Sequence, residues 1–379
     1  HAARQSPPGG TLESAGRPVE AVVTGGALPS PSFWAGRRVF LTGHTGFKGT
    51  WLAIWLRLLG AEVTGFSDGT LPGRSLFADL APADHVADRR GDVRNLDAVR
   101  AALIEARPDI VMHLAAQSLV RRSYATPVET FATNVMGTAH VLEAARGLPA
   151  PCRVLVVTSD KCYENREWLW GYRETEPMGG HDPYSASKGC TELVASAYAR
   201  SFSAGGGLHV VSARAGNVIG GGDWAQDRLI PDLVRGMREG RPVPIRNPDA
   251  VRPWQHVLEP LSGYLLLCER AAEEGISGQG WNFGPEARSE LPVRRVADAL
   301  CRLWGRSDGW HHAGDPQAQH EAGLLRLDSA KANRLLGWQQ RWGLDEALAA
   351  SVAIYRSHLK GPALRQLLER QIADYTGMS

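Results

Sequence analysis

The 379-residue chain has only five cysteines, and no two of them form a Cys-X-X-Cys pair. Cys152, Cys162, Cys190, Cys268 and Cys301 are odd in number and far apart. That pattern argues against a disulfide framework or zinc site and for free thiols in a reduced compartment. No apolar run reaches the roughly 18–20 residues that span a bilayer. No block of Lys and Arg stands out and the formal net charge is only +2, so the electrostatic footprint of nucleic-acid binding is missing. The first residues lack a charged stretch followed by an apolar core, the pattern of a secretory signal. His113, His181 and His256 have no metal-ligand spacing. Together these absences predict a cytoplasmic protein that needs no metal, membrane or nucleic acid.

What is present is an ordinary globular composition, 43% hydrophobic and 22% charged, in a chain long enough for two lobes. Residues 1–32 are rich in Pro, Gly, Ser and Ala and predict a flexible leader, with order beginning at Phe33. From there strands and helices alternate. Strands are expected at 38–42, 62–66, 109–114, 153–158 and 209–213, and helices at 48–59, 96–106, 128–145 and 185–202. Buried strands separated by amphipathic helices mean βαβ units and a parallel, doubly wound α/β sheet. Past Gly220 the rhythm loosens, and helices are expected at 227–239, 259–272, 293–304 and 344–358. The expected division is a dinucleotide-binding lobe over 33–219 and a smaller substrate lobe mainly over 220–379, with segments of 254–284 returning to the first.

The first strand runs into Thr42-Gly43-His44-Thr45-Gly46-Phe47-Lys48-Gly49, and a helix follows. Glycines at 43, 46 and 49 allow a tight turn, close approach of a pyrophosphate and tight helix packing. The helix N-terminus offers free N–H groups and a positive dipole end to phosphates. Gly43, Thr45, Gly46, Phe47, Lys48 and Gly49 are therefore candidate cofactor contacts. Asp92 and Val93 are expected at an adenine, and Leu114, Ala115 and Ala116 end a strand where small residues let a cofactor lie close. Asp68, after the second strand, is a plausible partner for a ribose diol, and no Arg follows that strand directly, so NAD is preferred over NADP.

Tyr184-Ser185-Ala186-Ser187-Lys188 puts a phenol and an ammonium one turn apart on a helix. A nearby ammonium stabilises a phenolate, so the pair can take a proton from a hydroxyl as hydride leaves the same carbon. The fifth strand ends Thr158-Ser159-Asp160-Lys161, at the edge where doubly wound sheets bind ligands. Ser159 would donate to the reacting hydroxyl. Asp160 and Lys161 add a proton-transfer couple that a plain dehydrogenase does not need, which suggests elimination. Thr158 and Asn134 are candidates on the cofactor side, and Gln117 and Ser118 on the sugar side.

These residues resemble the nucleotide-sugar 4,6-dehydratases of the extended short-chain dehydrogenase/reductase family, in the branch that acts on CDP-D-glucose. The resemblance spans about residues 34–358 and is carried by TGHTGFKG at 42–49, TSDKCYENREWLWGYRE at 158–174, EPMGGHDPYSASKG at 176–189 and RAGNVIGGGDWAQDRLIPD at 214–232. It implies C4 oxidation begun by Tyr184, loss of water across C5–C6 with Asp160 as acid on the C6 hydroxyl, and return of hydride to C6. Related dTDP-glucose enzymes carry Asp-Glu where this chain has Asp160-Lys161. An ordinary lysine is charged at neutrality, so two roles stay open for Lys161: base toward the C5 proton, or a standing charge that steadies the enolate. The resemblance also implies nucleotide contacts from Asn217, Arg228, Ile245, Arg246 and Arg252, a bound NAD, and a homodimer through the helices near 128–145 and 185–202. The competing expectations are a nucleotide-sugar 4-epimerase and a 4,6-dehydratase of another NDP-glucose.

Overall fold

Seven short runs of the chain pair into one parallel sheet, and the apolar content of each run decides its depth. The structure is a computed structural model that describes residues 26–69, 73–81, 85–203, 205, 207–314 and 323–377. The strands are β1 (Arg38–Thr42), β2 (Glu62–Ser67), β3 (Ala87–Arg90), β4 (Ile110–His113), β5 (Cys152–Val157), β6 (Leu208–Arg214) and β7 (Gly280–Asn282). Their spatial order is β7-β6-β5-β4-β1-β2-β3. The chain reverses direction across the sheet between β1 and β4, so a crevice opens beyond the carboxyl ends of those strands. The fold is thus an α/β doubly wound sheet. β4 is buried throughout, whereas edge strand β3 is exposed throughout.

Helix α1 (Phe47–Leu58) was expected to bury one face, yet Trp51 through Leu56 are all buried. The reason is a helix that the sequence pattern did not predict, Gly361–Thr376, which packs on it and sets Tyr375 edge-on to Trp55 with centroids 5.7 Å apart. From another side, Trp51 Nε1 donates to Gly221 O at 3.1 Å. Trp34, Trp281 and Trp338 join the same cluster on that sheet face. Each fully buried side chain of this size contributes roughly 1.5–3 kcal/mol of hydrophobic stabilisation. The opposite face is covered by the helices at Leu96–Ala106, Gly137–Arg146 and Pro183–Phe202.

The helix expected at 128–145 is broken in register. It runs as α-helix over Pro127–Phe131, as π-helix over Ala132–Met136 and as α-helix again over Gly137–Arg146. The widened turn frees the Asn134 carbonyl, which accepts from Thr138 Oγ1 at 2.6 Å and Thr191 Oγ1 at 3.0 Å. A third apolar cluster forms the smaller lobe around Leu233, Leu300 and Leu348. Helix Leu258–Arg270 and strand β7 lie with the main sheet although they follow that lobe's first helix in sequence. Of the leader expected over 1–32, residues 1–25 lie outside the described residues. Order begins before Phe33: Ala27 N–H donates to Gly337 O at 2.8 Å and Ser30 N–H to Glu269 Oε1 at 2.7 Å.

Candidate active site

A cleft of about 1290 Å³ follows the carboxyl ends of β1, β2, β4 and β5 and runs on into the smaller lobe. Its floor starts with the glycine turn. A Cβ at Gly49 would stand 2.2 Å from Gly43 O, and one at Gly43, whose φ is +72°, would stand 2.8 Å from the Ala115 nitrogen. Only glycine lets α1 begin this close to the end of β4. The helix starts after Gly46 with no capping side chain, so its first N–H groups stay available to an anion. Thr45 Oγ1 lies 2.8 Å from Ser67 Oγ, which joins the turn to the end of β2.

The arginines around the ribose side are committed to carboxylates. Arg74 pairs with Asp79 and stacks 4.2 Å from the Trp224 ring centroid. Arg90 pairs with Asp88, and Arg94 with Asp92. Asp68 is exposed at the rim of the cleft beside Asp92 and Val93. Further in, Thr42 Oγ1 accepts the N–H groups of Leu114 and Ala115 at 3.1 Å and lies 2.7 Å from His113 Nδ1, which fixes the loop after β4.

The helix Pro183–Phe202 presents the phenol and the ammonium. Asp182 starts it: its carboxylate accepts the Ser185 N–H at 2.9 Å and Pro183 occupies the first turn. Tyr184 and Lys188, one turn apart, are both buried against the cleft. Burial pushes the Tyr184 phenol up to about 12, while its hydrogen bond with Ser159 pulls the other way. Burial also pulls the Lys188 ammonium down to about 8, opposed by the Glu192 carboxylate. Lys188 Nζ donates to Val157 O at 3.2 Å, on the last residue of β5.

The residues that follow that strand close the constellation. Ser159 Oγ donates to Asp160 Oδ1 at 2.9 Å and accepts the Lys161 N–H at 3.2 Å, holding a single 3₁₀ turn. Asp160 is 1% exposed, and its Oδ2 has no hydrogen-bond partner among the described residues. Burying such an oxygen unpaired costs free energy unless a bound molecule pairs with it. Lys161 is half-buried on the cleft wall. Lys48, from the glycine turn, is drawn down to about 8 by burial and by Arg228, with Asp160 acting against them.

Across the cleft, Arg228 pairs with Asp223 at 2.8 Å and reaches Ser118 Oγ at 3.4 Å. Asn217, Ile245, Arg246 and Arg252 line the same wall, Asn217 in the left-handed region at φ +47°. Arg252 Nη1 donates to Val251 O and Gly323 O. Thus the structure brings every sequence-predicted site residue to one cleft except Asn134. Its amide is buried and turned inward, accepting the Gln117 N–H at 2.8 Å and donating to Gln117 O and Ser187 Oγ. It shapes the loop after β4 rather than facing the cleft. Gln117 likewise spends its side chain on Leu119 and Thr130. Sequence reasoning passed over Glu192, whose signal was its position one turn beyond Lys188, and the Arg74–Trp224 stack between the two lobes.

Comparison with known proteins adds three findings. A family model described as GDP-mannose 4,6 dehydratase matches residues 40–350. The CDP-glucose 4,6-dehydratase of Salmonella typhimurium is 49% identical over 350 residues, which cover 91% of this chain and 97% of that protein. The crystal structure of DesIV, a dTDP-glucose 4,6-dehydratase from Streptomyces venezuelae with NAD and TYD bound, superposes with a TM-score of 0.72 at 29% identity, over 85% of this chain and 97% of that one.

Proposed function

The chain belongs to the GDP-mannose 4,6 dehydratase family, and from that premise we propose a reading of its cleft: it is an NAD-dependent hydro-lyase that converts CDP-glucose to CDP-4-keto-6-deoxyglucose. The observation that carries the chemistry is the meeting of Tyr184, Lys188, Ser159 and Asp160 at the carboxyl end of β5. The fold alone would not choose between dehydration and epimerisation, since a UDP-glucose 4-epimerase from Thermotoga maritima superposes with a TM-score of 0.74 at 22% identity. The buried Asp160 beside Lys161 favours dehydration, because inversion at C4 asks for no acid at C6.

NAD fits the glycine turn. The uncapped helix N-terminus and the close approach at Gly43, Gly46 and Gly49 suit a pyrophosphate, with Thr45, Phe47 and Lys48 around it. Asp68 suits a ribose diol, Asp92 and Val93 the adenine side, and Leu114, Ala115, Ala116 and Thr158 the inner face. Because Arg74, Arg90 and Arg94 already hold carboxylates, none is left over for a 2′-phosphate. When bound, NAD supplies the hydride acceptor and a positive ring.

The protein's own groups do the rest. Tyr184 takes the proton of the C4 hydroxyl, with Ser159 holding that oxygen. A phenol raised to about 12 by burial is a reluctant base, so the Lys188 ammonium one turn away is needed to steady the phenolate. Asp160, which lines the cleft beside Ser159, gives a proton to the departing C6 oxygen. Lys161 takes the C5 proton. Arg228, Arg246 and Arg252 with Asn217 and Ile245 hold the nucleotide diphosphate side; guanidinium forks suit phosphate oxygens. Gln117 acts through its loop, which carries Ser118 toward the sugar.

The deciding experiment is a panel of CDP-, dTDP-, UDP- and GDP-glucose assayed for a 4-keto product that absorbs in alkali. CDP-glucose is expected to turn over at least about tenfold faster than the rest, a difference of about 1.4 kcal/mol in transition-state binding. A C4 epimer in place of a ketone would point to the epimerase reading, and a preference for another base would move the substrate assignment.

The same reading includes a homodimer. Val128 (81% exposed), Met136 (51%) and Leu193 (61%) stand outward on the two adjacent helices over 127–146 and 183–202. Such a face suits a four-helix interface between two copies. The double substitution Met136→Glu with Leu193→Glu is expected to halve the mass seen by light scattering; an unchanged mass removes that interface. The reduced, cytoplasmic setting rests on five free cysteines, four of them buried. Among the described residues no helix is long and apolar enough to cross a membrane. Recovery of activity in the cytosolic fraction tests this setting, and recovery with membranes or in the medium contradicts it.

A further inference from the structure

Beneath the site lies a buried polar network that the reaction as described does not use. Glu192 and Arg214 form an ion pair at 2.8 Å with each side chain 5% exposed. The Glu192 carboxylate also accepts from Ser212 Oγ at 2.6 Å and from Thr158 Oγ1. Its partners therefore come from the end of β5 and from β6, while Glu192 itself stands one turn beyond Lys188. Arg214 continues the chain of contacts: its Nη1 donates to Tyr163 OH at 2.6 Å, and that hydroxyl donates to Asn282 Oδ1 at 2.8 Å on β7. Asn282 in turn donates to Tyr172 O and Asp328 O.

Two features make this more than packing. Thr158 immediately precedes Ser159 and Asp160, so its bond to Glu192 joins the strand that carries those two residues to the helix that carries Tyr184 and Lys188. The second is that Glu192 stands one turn beyond Lys188, and its carboxylate opposes the burial that draws that ammonium down. The other ionisable groups facing that ammonium are Cys162 on the 3₁₀ turn, His113 at the end of β4 and Lys48 on α1. The Glu192 carboxylate is paired by Arg214, Ser212 and Thr158, while Arg214 Nε has no partner among the described residues; buried polar networks hold one geometry when their groups are paired.

We propose that Glu192 is a positioning residue for the dehydration, clamping Thr158 so that Ser159 and Asp160 meet Tyr184, with its carboxylate one turn from the Lys188 ammonium. This rests on the reading of the cleft given above. Arg214 holds the clamp in turn by pairing the carboxylate that would otherwise be buried alone.

The test uses the full-length NAD-loaded enzyme with CDP-glucose. Glu192→Gln keeps the shape and removes the charge. It is expected to lower kcat about tenfold, leave KM within about twofold, and move the alkaline limb of the kcat profile down by about one pH unit. Thr158→Val removes the clamped hydroxyl and leaves the ion pair. It is expected to lower kcat with the limb unmoved. A folded Glu192→Gln enzyme with the parent's kcat and limb overturns the proposal. If Glu192→Gln does not fold, Thr158→Val decides alone: reduced kcat at constant KM supports the clamp, and parental kcat overturns it. No ketone from the unsubstituted enzyme would sink the cleft reading itself, and this inference with it.

Discussion

Tyr184→Phe is expected to leave the fold intact and to lower kcat for ketone formation by about 10²–10⁴-fold, the range that a positioned proton acceptor supplies. The ring is 8% exposed and stays as Phe, so packing on the cleft wall is retained. What disappears is the one hydroxyl that Ser159 meets and the Lys188 ammonium can steady. The measurement is steady-state turnover of CDP-glucose beside a thermal melt. A variant that keeps its melting temperature and turns over within about threefold of the parent would remove Tyr184 from the chemistry, because a positioned general base typically contributes about 10²-fold or more.

Lys161→Ala separates the first oxidation from the elimination. With Lys161 as the group that takes the C5 proton, the variant in heavy water is expected to lose deuterium incorporation at C5 and to make deoxygenated product at least about 10²-fold more slowly. Oxidation at C4 should persist, since Tyr184, Lys188 and Ser159 hold their places through bonds that do not involve the Lys161 side chain. Mass and NMR analysis of the sugar pool reads both outcomes at once. Continued exchange at C5 would assign that proton to another group and leave Lys161 as a standing positive charge beside the enolate. The Asp160 neighbour makes the experiment sharper. Its carboxylate is held by Ser159, so the acid for the C6 oxygen stays in place when Lys161 is truncated.

Much of this molecule is legible in its sequence. β1, the glycine turn and α1 were readable because a short apolar strand, three spaced glycines and a Trp- and Leu-rich helix make a local pattern with one physical solution. The helix at Leu96–Ala106 was readable to the residue, since Asn95 caps its start. Edge strand β3 was not, because Ala87-Asp88-Arg89-Arg90 carries no apolar alternation and owes its form to pairing with β2. The final helix, Gly361–Thr376, opens on Gly-Pro and has no acidic first turn, so its apolar positions make sense only against α1. Asn134 was expected to line the sugar or cofactor side. The π turn rotates it inward to Gln117 and Ser187 instead. Glu192 has no local sequence signal of burial, and only the arrival of Arg214 from β6 makes it a buried partner.

The central claim is that one cleft lends a single hydride away from C4 and returns it to C6 of the same sugar. CDP-glucose carrying deuterium at C4 tests this directly, with the product's label located by NMR. The account predicts deuterium at C6 of the 4-keto-6-deoxy sugar. Label found back at C4 of an epimer, or lost to solvent, would contradict it.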